Sequence, residues 1–224
     1  GAGREVVVKT LADEDPQFRA LAVRILRRHG DEYAAMILPM ASDASPLVKR
    51  EVLLAIAEID SPAALEALAT LAAEYDGQDR YLLEAINIAA GDRKRALYDE
   101  LVRREATSVD RLPLLALLDP VATAELQVRQ LADPKLPRAD RQRVLQALAT
   151  SPSLDSGRSV LRFLGDESAD DELRRLALNL FGANLAGIWR ELASDEELPQ
   201  RIAPLFAIAA WQQPVLALVG ERSL

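Results

Sequence analysis

The chain has 224 residues and a formal net charge of −8, and Leu and Ala, 38 of each, make up a third of it. With 50% hydrophobic against 28% charged residues it can bury a core, and two strong helix formers beside only 4% aromatic residues read as an all-α protein. One His and no Cys exclude thiol nucleophiles, structural zinc, iron–sulfur clusters, covalent c-type haem and any histidine pair, and an acidic total without a basic half or tail argues against a nucleic-acid partner.

Taken in chain order, Gly1 to Arg4 lead at once into Val6–Val8 and Lys9, which is not a signal-peptide pattern. Asp15-Pro16 reads as a helix start, because an Asp or Ser oxygen can take an orphan N–H of the first turn and proline at the first helical position loses no bond. That helix is expected to stop at Gly30, behind the cations and lone His of Arg27-Arg28-His29. Met36 and Met40 read as core filling. Ser45-Pro46 and Ser61-Pro62 repeat the start signal, and Asp76 followed by Asp79 has the spacing of another cap. Gly91 is a stop, and Asp92-Arg93-Lys94-Arg95 reads as a solvated helix start. From Glu105 to Leu118 the signal is weak.

Further starts are expected at Asp119-Pro120, Asp133-Pro134, Ser151-Pro152, Ser168 and Ser194-Asp195-Glu196-Glu197, with stops at Gly165 and Gly182. Near the C-terminal end, Trp189 and Trp211 are expected beside an uncapped, sticky apolar face that could dimerise. The uncharged run Ile202 to Val219 is interrupted by Pro204 and Pro214 and falls short of a membrane span, so no direct membrane insertion is expected.

The punctuation hides a period. Asp13 to Ala22 matches Asp43 to Val52 thirty residues on, with Asp, Pro, an apolar residue, a cation and an apolar residue coinciding. Asp76 follows Asp43 by 33 residues, with Tyr81 and Ala85 at the places of Val48 and Val52, and Asp133 and Asp166 are again 33 apart. Val48, Val52, Ala55, Ile56 and Ile59 form one stripe at helical spacing, answered by Leu65, Leu68 and Leu71 on the next helix. Such pairs bury their stripes by stacking.

The string Asp-x-x-Pro-x-Val-Lys-Arg-x-Val at Asp43 to Val52 resembles the second-helix signature of HEAT repeats. The resemblance implies an all-α, right-handed α-solenoid (superhelix) of about six HEAT-like helix pairs. It also implies a polar ladder of Asp13 with Arg19, Asp43 with Lys49, and Asp166 or Asp170 with Arg174. More narrowly, Leu71 to Ala90, with Tyr75-Asp76-Gly77-Gln78-Asp79-Arg80-Tyr81-Leu82-Leu83-Glu84-Ala85, is similar to the HEAT region of planctomycete-type membrane-bound dehydrogenases, which join a sorbosone-dehydrogenase-like propeller, a HEAT region and a c-type cytochrome domain. That likeness implies a single HEAT-repeat domain over 1–224, excised from a larger extracytoplasmic (periplasmic) oxidoreductase, acting there as spacer or interaction domain.

No catalytic residue, cofactor or metal is expected in this segment. Tyr75, Asp76, Asp79, Arg80 and Glu84 form the densest polar cluster; it reads as a cap, a tight turn and an i, i+4 pair before it reads as a carboxylate pair for acid–base work. Arg24, Arg50, Asn87, Gln146, Arg175 and Asn179 are expected on the inner face of the stack, a mixed row suited to a protein partner or to flanking domains of the same chain. Two alternatives remain at this level. A glycosylase-type DNA-binding enzyme would need a basic groove and aromatic wedges, and a lyase or chaperone for a bound pigment would need a deep pocket with an acid.

Overall fold

Proline and aspartate set the helix starts much as the sequence suggests. In the computed structural model, which describes residues 2–166 and 169–220, α1 covers Ala2–Thr10 and α2 Pro16–Arg27, where Asp15 accepts the N–H of Gln17. A short α3 (Ala34–Ile37) runs into a 3-10 turn at Leu38–Ser42. Next come α4 (Pro46–Ile56), α5 (Pro62–Ala73), where Ser61 accepts the N–H of Ala64, and α6 (Arg80–Ala90), where Asp79 accepts that of Leu82. α7 (Lys94–Arg103) and α8 (Leu112–Leu118) complete the first of two compact units, Gly1–Asp119. The second, Pro120–Leu224, holds α9 (Pro120–Ala132), α10 (Arg138–Thr150), α11 (Leu154–Leu164), α12 (Asp171–Leu185), α13 (Glu197–Ile202) and α14 (Ala209–Gly220).

Each unit is a two-layer stack of helix pairs, the solenoid arrangement, and the described residues contain no strand. In the first unit α2, α4, α6 and α8 lie side by side, while α5 packs against α4, α6, α7 and the Leu38–Ser42 turn. In the second, α10, α12 and α14 form one layer and α9, α11 and α13 the other. The weak stretch from Glu105 to Leu118 holds a 3-10 turn at Val109–Arg111 and then α8, whose Leu112, Leu114, Leu115 and Leu118 are buried.

Several boundaries differ from expectation. Asp133 bonds the N–H of Lys135 inside a turn and α10 starts at Arg138, because Pro137, not Pro134, precedes the first helical residue. Ser151-Pro152 likewise lies in the turn before α11, whose N-cap is Ser153. Gly182 stops nothing and sits within α12, where a Cβ would come 3.1 Å from Leu218. α2 ends at Arg27, ahead of Gly30, and His29 lies edge-on to the Tyr33 ring. The Ser168 cap falls outside the described residues; Asp170 caps α12, accepting the N–H groups of Glu172 and Leu173. Trp189 and Trp211 are fully buried and not part of an open face: Trp189 donates its indole N–H to the carbonyl of Ser151, and Trp211 lies beneath the guanidinium of Arg174. Met36 is 43% exposed, so it fills no core.

The polar ladder exists but with other partners. Arg19 bonds the carbonyls of Asp13 and Glu14 and closes on the Asp43 carboxylate 24 residues later. Lys49 passes over Asp43 to reach Glu74 at 2.5 Å, and Arg95 reaches Asp119 at 2.5 Å. Buried Arg174 donates to the Leu164 carbonyl and pairs with Asp171, while Asp170 faces Arg138. A long side chain aimed along the stack meets the next loop sooner than its own, so the rungs join neighbours.

A second set of bonds reaches backward. Arg93 donates to the carbonyls of Ile56, Ile59 and Ala89, closing the C-terminal end of α4 and the last turn of α6. Arg111 holds the carbonyl of Ala73 at the end of α5, and Asn184 holds that of Ala149 near the end of α10. Helix C-termini leave carbonyls without partners, and these donors supply them.

Candidate protein-interaction surface

The α2, α4 and α6 helices each bury one arc against the lower layer and turn the opposite arc to solvent. On α4 the buried arc is Val48, Val52, Ala55 and Ile56, as its stripe predicts. The exposed arc carries Leu47, Arg50 and Leu54, at i, i+3 and i+7. The same spacing recurs on α2 as Phe18, Leu21 and Ile25 and on α6 as Tyr81, Glu84 and Ile88, displaced by 29 and 34 residues. Three parallel rows result: Phe18, Leu47 and Tyr81; Leu21, Arg50 and Glu84; Ile25, Leu54 and Ile88. Phe18 is 50% exposed, Tyr81 81% and Ile88 61%.

Two rows are thus apolar and the one between them carries one charge of each sign. Among the described residues neither Arg50 nor Glu84 has an ion-pair partner. At the seam between α2 and α4, Arg24 donates to one oxygen of buried Glu51 at 2.5 and 3.1 Å, which raises the guanidinium pKa through that bond. The other Glu51 oxygen is buried without a partner, as is the side-chain oxygen of half-buried Asn87 on α6.

The residues expected on the inner face divide between the two units. Arg24, Arg50 and Asn87 belong to the α2/α4/α6 layer, but only Arg50 stands free on the solvent arc. Gln146 on α10 and Arg175 and Asn179 on α12 are exposed in the second unit, where Arg175 lies 5.4 Å from the Trp211 ring and bonds the Ala210 carbonyl. The α10 and α12 arcs are polar, with Gln142, Arg143, Gln146, Glu172, Arg175 and Asn179 outward. The sequence reading names the buried stripes and leaves the exposed apolar residues of the first unit without a role. The signal was present, since Leu47 and Leu54 fall off the stripe that Val48 and Val52 define. Tyr81 was also placed one residue out of register: Leu82 and Ile86, 34 residues after Val48 and Val52, are their equivalents, and Ile86 is fully buried.

The polar cluster forms a built corner. Tyr75 is buried, and burial followed by the carboxylates of Asp76 and Asp79 raises its phenol pKa. Asp76 accepts the N–H groups of Gln78 and Asp79, which lower its pKa, and Asp79 caps α6. Gly77 has φ of +87°, and a Cβ there would come 2.5 Å from the Asp110 carbonyl oxygen. Arg80 and Glu84 are both exposed and, despite their i, i+4 spacing, form no ion pair among the described residues. The described residues hold no group of three or more His, Asp or Glu placed for a metal ion. A cleft of about 550 Å³ lies between α9 and α11 of the second unit, lined by Val121, Val128, Arg129, Arg162 and Phe163.

Residues 5–87 match the family of HEAT repeats, a span that runs from α1 into α6 and contains the three helices of the exposed face apart from the final turn of α6. No curated protein matches the chain. HEAT repeats suggest a protein-interaction scaffold.

Proposed function

We propose that this chain is a non-catalytic scaffold whose docking surface for a protein partner is the α2/α4/α6 face. The observation that carries the reading is the row pattern itself: six large apolar side chains stand exposed in two rows across three adjacent helices, and the row between them joins Leu21 to Arg50 and Glu84. Scattered exposed leucines need no explanation, whereas a contiguous apolar patch framed by polar groups marks an interaction surface. The corresponding arcs of α10 and α12 lack such residues, which favours the first unit as the docking site.

The finer proposal is that the scaffold serves as a spacer in a multidomain, extracytoplasmic oxidoreductase, positioning redox domains carried elsewhere. Its support is the likeness of Leu71 to Ala90 to that class, a segment whose Tyr75, Gly77 and Asp79 make the corner before α6. The docking surface is tested by placing a photo-crosslinking residue at Leu54 and, as control, at Gln146: crosslinks to a partner domain are expected from the first position, and crosslinks from the second alone would overturn the assignment. Scattering from a parent chain with and without this segment tests the spacer, which fails if the distance between flanking domains is unchanged.

A further inference from the structure

We infer that the partner for which the α2/α4/α6 face is built is a second copy of this chain. The inference rests on the reading of that face as a docking surface and adds the identity of what covers it. The first argument is the contiguous apolar patch on α4 and α6. Leu47, Leu54, Tyr81 and Ile88 stand exposed there on either side of Arg50 and Glu84, a patch framed by polar groups of the kind that marks an interaction surface.

The second argument is charge. In a two-fold dimer the same patch serves both copies, so every charge must find its complement on the identical surface. A row of one sign would repel its own image. Here the middle row carries one unpaired cation, Arg50, and one unpaired anion, Glu84, on neighbouring helices. A two-fold axis running parallel to the helices, between α4 and α6, sets Arg50 against the partner's Glu84 and Glu84 against the partner's Arg50. The same operation sets Leu47 against the partner's Tyr81 and Leu54 against the partner's Ile88, so apolar rows meet apolar rows. Arg24 is already neutralised by Glu51 and adds no repulsion at the seam. On a chain of net charge −8, two copies repel over much of their surface, and a face with balanced charge is where that repulsion is relieved.

The test is sedimentation of the full chain over about 1 to 100 µM, a range that brackets the dissociation constant of a modest interface with few buried polar contacts. A concentration-dependent monomer–dimer equilibrium is expected. Arg50→Glu and Glu84→Arg each place two like-charged contacts in the interface and are expected to weaken association at least about tenfold. The double variant Arg50→Glu with Glu84→Arg restores the complement and is expected to return association to within about threefold of the parent. Both substituted positions are exposed, so unchanged circular dichroism is expected of all three variants. A chain monomeric throughout the range overturns the inference, as does a dimer that the single charge reversals leave intact or the double variant fails to rescue. If the chain is monomeric while crosslinks from Leu54 to another protein persist, self-association falls and the docking surface stands.

Discussion

Arg19 and Asp43 meet fork to fork, with Nε and Nη2 of the guanidinium each donating to a separate carboxylate oxygen at 2.8 Å. The pair joins α2 to the loop before α4, and it lowers the Asp43 pKa chiefly through the Arg19 bond. Asp43 also accepts the N–H of Ser45, which fixes the turn before α4, while the Ser45 side chain makes no cap bond. Asp43→Asn keeps an acceptor for that N–H and removes the charge. It is expected to lower the melting temperature by a few degrees, and Arg19→Leu by a similar amount, because bidentate charged bonds are among the stronger polar contacts. Melting curves of the two single variants and the double decide it: additive losses would show that the fork couples nothing.

Gly77→Ala is expected to be the more damaging change. The residue holds φ of +87°, and an added Cβ would meet a backbone oxygen, which cannot swing aside. A cost of about 2–4 kcal/mol follows from the positive φ plus displacement of the 3-10 turn that carries Asp110. Gly91 also has positive φ, but a Cβ there meets nothing within 4 Å, so Gly91→Ala is expected to cost less. Denaturant titration of the two variants separates the clash from the dihedral term; equal losses would remove the clash.

Acid is expected to weaken the fold through Glu100. Bonds from Arg103 and Arg104 depress its carboxyl to about 2 from an ordinary 4.5. A carboxylate with a depressed folded-state pKa contributes stability that is complete above its unfolded value and is lost as pH falls toward its folded one. Stability is therefore expected to decline between about pH 5 and pH 2, and Glu100→Gln to flatten part of that decline. An unchanged pH profile in Glu100→Gln would refute the assignment.

Arg93→Met removes three donors from carbonyls at the ends of α4 and α6 while keeping an apolar stem. A loss of about 2 kcal/mol is expected, since those carbonyls become unsatisfied or must admit water. Hydrogen exchange should quicken first in the last turn of α4; protection that falls uniformly over the first unit would show a global effect instead.

Much of this fold was legible because its signals are local. Asp15-Pro16 and Ser61-Pro62 start helices through cap bonds within three residues, Ser45-Pro46 starts one by its proline without a side-chain cap bond, and Val48, Val52 and Ile56 declare their buried arc by spacing alone. The ladder partners were not legible, because whether Lys49 turns to Asp43 or to Glu74 depends on where the next repeat's loop stands. Pro134 and Pro152 misled for a related reason: a proline marks a turn as readily as a first helical residue, and only the geometry of Pro137 and Ser153 distinguishes them. The exposed rows lay between these cases. Leu47 and Leu54 fall off the buried stripe by spacing, but that Phe18, Leu47 and Tyr81 line up in one row depends on how α2, α4 and α6 stack, which no single helix's spacing states.

The side-chain bonds between repeats span 24 residues in Arg19 to Asp43, 34 and 37 in Arg93 to Ile59 and Ile56, and 38 in Trp189 to Ser151. Each fastens one repeat to its immediate neighbour. Under mechanical load along either unit such fasteners act in series, so the stack is expected to stretch elastically while they hold and then to yield one repeat at a time, from whichever end is pulled. A scaffold with that construction behaves as a spring with discrete stops.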